Sequence, residues 1–312
     1  NATITGNIFD MTHIGEKSRP RTAIHVAAPD VLVSDNQIYV RSGQNPDVTA
    51  IRVTEPALNA NIHDNLIRNC GAGITTDNPQ SKAGKIFDRH TFSHAGGLKD
   101  FREWCCPAKV LAKVTVEVPF ERRQSHRYRG WTMVPLRDGR PVGTLAIEAF
   151  DPETLRFKLR EPHGMESGQA FEIMAPSANW QIHDNTIDGC LKPARLASYG
   201  SQTSLFRDNL IVRGTALNVP AAVVVSGAFK LVGNTFAGFD EPGAVALFLA
   251  PDRFGRPPRC ICRANLFERC ACAVQRTEMD TGATEHPEAN LFIDCQAEIR
   301  PALPDPAGDS GH

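Results

Sequence analysis

The sequence predicts an all-β fold built from stacked coils, and three observations lead to that prediction. First, a short segment centred on an asparagine occurs eight times, at Asn7, Asn36, Asn65, Asn185, Asn209, Asn234, Asn265 and Asn290. Second, all but one of the intervals between these asparagines are 24 to 31 residues, the length of one coil in a solenoid. Third, apolar residues alternate on both sides of each asparagine, as in strands and not as in helices. This combination is typical of a parallel β-helix.

The recurrent asparagines have a predicted structural role at the corners of the coils. Stacked coils lie about 4.8 Å apart, so equivalent side chains form columns. An inward asparagine can then hydrogen-bond to the asparagine of the next coil and satisfy backbone groups at the corner. The Asp or Gly that precedes most of these asparagines suits a corner residue with positive φ. We therefore expect an amide ladder along the solenoid.

The nine cysteines follow the same repeat. Cys70, Cys190, Cys270 and Cys295 each lie five residues after a ladder asparagine, which predicts an internal column. The pairs Cys260/Cys262 and Cys270/Cys272 could instead supply four thiolates to zinc, but their inward register explains them as small buried side chains. The odd total and the adjacent Cys105 and Cys106 argue against a disulfide framework. We predict core filling, with no metal.

Composition sets limits on partners. The 312 residues are 41% hydrophobic and 22% charged, which is enough for a buried core. No apolar run approaches the roughly 20 residues that a membrane-spanning helix needs, so a soluble protein without a membrane partner is expected. The net charge of −1 gives no general reason to expect binding to nucleic acid.

The interval of 120 residues between Asn65 and Asn185 is several coils too long and predicts an inserted domain. The predicted organisation is N-terminal coils in residues 1–78, an antiparallel β insert in 79–178, C-terminal coils in 179–299 and a flexible tail in 300–312. Turn residues between alternating segments favour hairpins and a small barrel-like insert. Its five predicted strands run from Lys109 to Phe120, Trp131 to Leu136, Gly143 to Phe150, Thr154 to Arg160 and Gln169 to Met174.

A second set of positions predicts a row of side chains on one outer face. The segments after successive corners share an inward, outward, inward pattern, and their outward residues are His25, Arg52, Thr75 and Arg195. Four neighbouring strands at this spacing make a groove about 15 Å long, which suits several sugar residues. We expect these four residues to bind substrate.

Candidate catalytic acids follow the same strands. Aligning Ile51 with Ile74 places Glu55 and Asp77 diagonally on neighbouring coils. Glycosidic hydrolysis needs two carboxyl groups, at about 5 to 5.5 Å for retention or about 6.5 to 9.5 Å for inversion, and adjacent coils permit either distance. Tyr199 lies near the same coil ends and is a further candidate for substrate binding.

Another outer column contains His63 and His183, which occupy matching Ile-His-Asp-Asn corners. Two imidazoles there can bind a metal or move protons, although repetition of a corner sequence also explains them. His183 is retained as a candidate substrate-binding residue. No G-x-S-x-G, phosphate-loop or dinucleotide-binding motif is present, and we expect no cofactor.

The repeated I-x-D-N-x-I corners resemble the right-handed parallel β-helix superfamily, which includes pectate-lyase-like lyases, polygalacturonase-like hydrolases, epimerases and phage tailspikes. The resemblance covers about 210 residues outside the insert. A β-helix interrupted by a small barrel is also similar to the α-1,3-galactosidase family. These resemblances imply a carbohydrate-active protein whose partner is a polysaccharide or oligosaccharide.

Three classes of function are therefore expected. A glycoside hydrolase would use Asp77 and Glu55. A polyuronate lyase or epimerase would abstract a proton with a basic residue such as Arg52, Arg195 or His25. A noncatalytic glycan-binding or adhesion solenoid would bind without turnover. The first coil has no visible cap, which predicts missing N-terminal coils of a longer protein, and an extracellular or periplasmic location is expected.

Overall fold

The computed structural model describes residues 2–12, 21–41, 43–54, 57–76, 109–112, 115–117, 131–137, 140–151, 156–160, 171–174, 179–198, 203–251, 258–276 and 289–301. Every regular element within these ranges is a β-strand, and they contain no α-helix. The chain divides into two compact units, residues 1–77 together with 177–312, and residues 78–176. The all-β prediction is confirmed.

The first unit contains three parallel arrays of strands. The first array, in order, is β1 (Ala2–Thr5), β4 (Val31–Ser34), β7 (Asn61–His63), β17 (Gln181–His183), β20 (Ser204–Arg207), the second half of β22 (Ala221–Val232), and β25 (Arg259–Arg263). The second is β2 (Ile8–Asp10), β5 (Gln37–Tyr39), β8 (Leu66–Arg68), β18 (Thr186–Asp188), β21 (Leu210–Val212), β23 (Thr235–Ala237), β26 (Leu266–Glu268) and β28 (Leu291–Ile293).

The third array is β3 (Arg21–Val26), β6 (Asn45–Val53), β9 (Cys70–Thr75), β19 (Lys192–Ser198), the first half of β22, β24 (Val245–Leu249), β27 (Val274–Arg276) and β29 (Ile299–Pro301). Because β22 belongs to both, the first and third arrays form one 14-stranded sheet. Strand β29 continues through Pro301, whereas the sequence predicted a flexible tail from residue 300.

The order of the strands along the chain is consistent with a parallel β-helix. Successive strands pass from the first array to the second and then to the third, and each strand pairs in parallel with its counterpart in the next repeat. Strand β7 pairs directly with β17, with Ile62 opposite Ile182 and His63 opposite His183. The arrays are therefore continuous across an interval of 120 residues between these two strands.

One large hydrophobic core lies inside the three arrays, as the alternating pattern predicts. Inward residues such as Ile62, Ile182 and Phe206 have no exposed surface. Side chains at equivalent positions of neighbouring coils stack on one another. The rings of Phe236 and Phe267, for example, lie nearly parallel with centroids 4.8 Å apart. Such columns bury apolar surface continuously along the solenoid, and this burial is the main source of stability.

The predicted amide ladder is confirmed for all eight asparagines. The Nδ2 of each of the first seven donates to the Oδ1 of the asparagine in the next coil at 2.9 to 3.0 Å, and Asn290 is the last acceptor. Each backbone N–H of the first seven donates to the same Oδ1 at 3.0 to 3.1 Å. Residues immediately before the ladder, including Asp64 (φ 54°) and Gly233 (φ 69°), have the positive φ that the sequence predicted.

The cysteines serve mainly as core residues, as predicted. Cys70, Cys190 and Cys270 are fully buried, and Cys295 is intermediate. They form two adjacent pairs and not one continuous column, because Gly214 and Phe239 occupy the equivalent positions between them. All seven cysteines in the described residues are free thiols, while Cys105 and Cys106 lie outside those residues.

The second unit contains a seven-stranded antiparallel sheet. Its strands are β10 (Lys109–Ala112), β11 (Thr115–Glu117), β12 (Thr132–Arg137), β13 (Arg140–Pro141), β14 (Leu145–Asp151), β15 (Arg156–Leu159) and β16 (Phe171–Met174). The prediction of one strand from Lys109 to Phe120 is wrong, because β10 and β11 pair with each other as antiparallel strands. Alternation of apolar residues has the same period in one long strand and in two short ones, and no Gly, Pro, Asn or Asp marks a turn there.

Candidate functional site

The predicted row of side chains lies on the third array. Arg52 is the register partner of His25 on one side and of Thr75 on the other, and Thr75 is the partner of Arg195. Four neighbouring strands, β3, β6, β9 and β19, therefore carry these residues side by side. Their flanking residues Ile24, Ile51, Ile74 and Ala194 are buried in the core. The register that the sequence predicted for this face is confirmed.

His25 occupies the first position of the row and is exposed. Its Nε2 lies 2.8 Å from the Oγ1 of Thr54, which belongs to the next coil. This contact links the end of β3 to the residue that follows β6. It fixes the imidazole at one end of the row, and the tautomer of the ring decides whether Nε2 donates or accepts this hydrogen bond.

Arg52 is only partly exposed, and burial lowers the pKa of its guanidinium from the usual value. Desolvation disfavours a cation, so the guanidinium gains from an anionic or strongly polar neighbour. A ligand oxyanion placed against Arg52 would offset part of this desolvation.

Thr75 lies between the two arginines and is 8% exposed. Its Oγ1 has no hydrogen-bond partner among the described residues. A buried hydroxyl that makes no hydrogen bond costs about 1 to 3 kcal/mol, so such groups are uncommon without a functional reason. The hydroxyl therefore keeps unused hydrogen-bonding capacity directly beneath the face that carries the two arginines.

Arg195 has a different environment from Arg52. Its Nη1 donates to the carbonyl oxygens of Ala194 and Ala222, and its Nη2 donates to that of Ala221. These bonds tie the guanidinium to the backbone of β19 and to the start of β22. Arg195 thus supports the backbone beneath the row while its charge remains beside Thr75.

The row continues beyond the four predicted residues, and sequence reasoning missed this continuation. Val224, Phe248 and Gln275 occupy the next positions. Val224 and Phe248 pack against a separate outer cluster of Ala221, Val245 and Cys272. The row is polar and cationic over its first four positions, apolar at Val224 and Phe248, and polar again at Gln275. The repeat interval from Arg195 was the signal that could have identified these residues.

The other candidates are not part of the described row. Glu55, Asp77 and Tyr199 lie outside the described residues. The strand ends that precede Asp77 and Tyr199 in sequence are held together, because Thr76 Oγ1 donates to Ala197 O at 3.2 Å and accepts from Ala197 N–H at 2.8 Å.

His183 lies on the first array and not on the third, so the structure does not place it in the row. It stacks on His63 with ring centroids 4.9 Å apart and an interplanar angle of 7°. Each Nδ1 lies 2.6 Å from the carboxylate of the following residue, Asp64 or Asp184. His183 Nε2 also lies 3.0 Å from Asn61 Oδ1. No group of three or more His, Cys, Asp or Glu in the described ranges is arranged to hold a metal ion.

Comparisons with protein-family models and with curated proteins found no match to this chain. Among the residues that the structure describes, no helix has the length and apolar character required to cross a membrane.

Proposed function

We propose that the first unit is a right-handed parallel β-helix of about eight coils, interrupted by a small barrel-like insert in residues 79–178. The repeated passage through three arrays supports this coil count. Right-handed connection is the general rule for parallel strands joined by a crossover. The insert corresponds to the antiparallel unit of residues 78–176.

The function that we propose is hydrolysis of a glycosidic bond in a polysaccharide or oligosaccharide bound along the row of the third array. One observation carries the proposal: Thr75, with a buried Oγ1 that has no partner among the described residues, lies between two arginines in a row of four neighbouring strands. Glycans present many hydroxyl groups along an extended chain, and such a row offers donors and acceptors at matching intervals of about 4.8 Å. An extracellular or periplasmic location agrees with a polymeric substrate.

Asp77 and Glu55 are the proposed carboxylates. Asp77 follows Thr75 by two residues and Glu55 follows Val53 by two, and the strands that precede them are neighbours. One acid would protonate the leaving oxygen, and the other would attack the anomeric carbon or activate water. The separation of the two groups would decide between retention and inversion.

The test is turnover of neutral and acidic polysaccharides by the wild type and by Asp77→Asn and Glu55→Gln. We expect new reducing ends with the wild type and a loss of at least about a hundredfold in rate for each variant, because general acid–base catalysis contributes on that scale. Asp47→Asn is the matched control, since Asp47 is an exposed acid on β6, the strand that precedes Glu55 in sequence. Unchanged turnover in Asp77→Asn would remove Asp77 from the mechanism.

A lyase or epimerase is the second candidate, favoured by the lowered pKa of Arg52. A guanidinium with a lowered pKa loses its own proton more readily and can then act as the base, and neighbouring cations would neutralise a uronate carboxylate. Such an enzyme would release unsaturated products that absorb in the ultraviolet, and Arg52→Gln would abolish their formation. Binding to a polysaccharide without either product would identify a noncatalytic solenoid.

A further inference from the structure

A pocket of about 280 Å³ lies on the second array, on a different face from the row described above. Tyr39 and Arg68 are register partners on β5 and β8, and both line the pocket. Gln37 and Leu66, partners on the same two strands, line it as well. Arg41, just after β5, completes its polar side.

The residues that line the pocket carry positive charge only. The lining includes two arginines, Arg41 and Arg68, and no Asp or Glu. Each arginine contacts its carboxylate through Nε: Arg41 Nε lies 2.8 Å from Asp10, and Arg68 Nε lies 3.6 Å from Asp188. The acids therefore occupy the Nε edges of both guanidinium groups.

The terminal nitrogens of these arginines are largely left for another ligand. Arg41 Nη2 donates to the hydroxyl of Tyr39 at 3.2 Å, and the Arg41 guanidinium carbon lies 5.6 Å from the centroid of that ring. No hydrogen bond is made by the terminal nitrogens of Arg68 within the described part of the chain. Guanidinium groups with free terminal nitrogens match the planar carboxylate in geometry and charge.

The remaining walls indicate what the carboxylate would be attached to. Val40 is 3% exposed and, with Leu66 and the Tyr39 ring, supplies apolar surface. Gln37 and Asn69 add amides at the margin. A pocket with cations, an aromatic ring and amides suits a compact ring that carries hydroxyl groups and one carboxylate.

We propose that this pocket binds a carboxylate-bearing sugar unit, with its carboxylate held by Arg41 and Arg68 and its ring against Tyr39 and Leu66. The site is separate from the row on the third array and does not depend on the proposed hydrolysis. It would hold an acidic glycan, or an acidic branch of one, on a second face of the same solenoid.

The experiment is calorimetric titration of the full chain with three probes: glucuronate, acetate and glucose. Acetate presents the carboxylate without the ring, and glucose presents the ring without the carboxylate. We expect glucuronate to bind in the millimolar range and at least about tenfold more tightly than either of the others. Arg68→Gln and, independently, Arg41→Gln should weaken glucuronate binding by about tenfold or more.

Two matched controls locate the binding. Arg207→Gln removes an arginine that pairs with an acid on the first array, and Arg263→Gln removes an exposed arginine from β25 of the same array. Both should leave the affinity for glucuronate unchanged. The proposal is overturned if glucuronate does not bind, if glucose or acetate binds equally well, or if Arg263→Gln weakens binding while both pocket variants retain it.

Discussion

At the scale of single residues, the asparagine corner explains much of the order in this protein. Asn185 is 1% exposed, and its Oδ1 accepts both the N–H and the Nδ2 of Asn65. Its own Nδ2 donates to Ile62 O, His183 O and Asn209 Oδ1. One side chain therefore satisfies backbone and amide groups of three successive coils.

Replacement of this residue tests the ladder. Asn185→Ala should lower the free energy of unfolding by about 3 kcal/mol or more, because several buried donors and acceptors lose their partner. Asn7→Ala is the matched control: Asn7 is exposed at one end of the ladder, and the loss there should stay below about 1 kcal/mol. Urea unfolding of both variants measures the difference. Equal losses would contradict the account of the ladder.

Burial has a measurable consequence at Cys270, whose pKa it raises from 9.0 to about 12. The folded state keeps the thiol neutral, while the unfolded state ionises it above about pH 9, so this contribution to stability is complete below pH 9 and is lost as the pH approaches 12.

We therefore expect the stability advantage of the wild type over Cys270→Ala to shrink by about 1 kcal/mol per pH unit above pH 9. Urea unfolding of both proteins across that range is the measurement. Parallel pH profiles for the two would show that the thiol ionises equally in the folded and unfolded states.

A second set of corner residues was not predicted, although their spacing in the sequence matches that of the ladder asparagines. Asn59 Nδ2 donates to Asp30 Oδ1, and Asn179 Nδ2 donates to Asn59 Oδ1, both at 2.9 Å. All three residues have positive φ. Their intervals of 29 and 120 residues repeat those of the ladder. They lie outside the Asn-x-Ile segments, so a search centred on that motif did not include them.

At the scale of elements, β22 is the strand that sequence patterns describe least well. Its 12 residues begin in the third array and end in the first, where other coils use two separate strands. Gly227, with φ 87°, is opposite Ser198 at the change of array. A Cβ at this position would overlap the carbonyl oxygen of Ser198.

Replacement of Gly227 by alanine should therefore lower the stability of the fold by more than the strain of a positive φ alone would. We expect Gly227→Ala to lower the free energy of unfolding by more than about 3 kcal/mol, since β19 and β22 must separate. Gly243→Ala provides the comparison, because Gly243 has φ 82° but open space around its Cα, and about 1 kcal/mol is expected. Thermal or urea unfolding distinguishes them, and similar losses would show that the backbone contact is unimportant.

The strands also show what periodicity can and cannot predict. The inward, outward pattern placed His25, Arg52, Thr75 and Arg195 in the correct register because a one-residue shift would expose the core. The same pattern could not predict that Arg195 bonds to backbone carbonyls, since that depends on the local path of β22. It also could not find the pocket beside Tyr39, which arises where turn and strand residues meet.

At the scale of the whole molecule, the arrays are continuous between coils that are far apart in sequence. Strands β7, β8 and β9 pair with β17, β18 and β19. The unchanged asparagine corner on both sides of the long interval made this predictable. The proposed groove depends on it, because Thr75 and Arg195 come from opposite sides of that interval.

The most direct test of this continuity is a disulfide between His63→Cys and His183→Cys. The two histidines are register partners with stacked rings, and adjacent parallel strands bring Cα atoms within the range of about 4.4 to 6.8 Å that a disulfide requires. A His63→Cys and Arg207→Cys pair, one strand further apart, is the control. Mass spectrometry after oxidation should find the linked 63–183 peptide and no 63–207 link. Absence of the 63–183 link in folded protein, or equal linking in the control, would contradict the continuous array and the groove that depends on it.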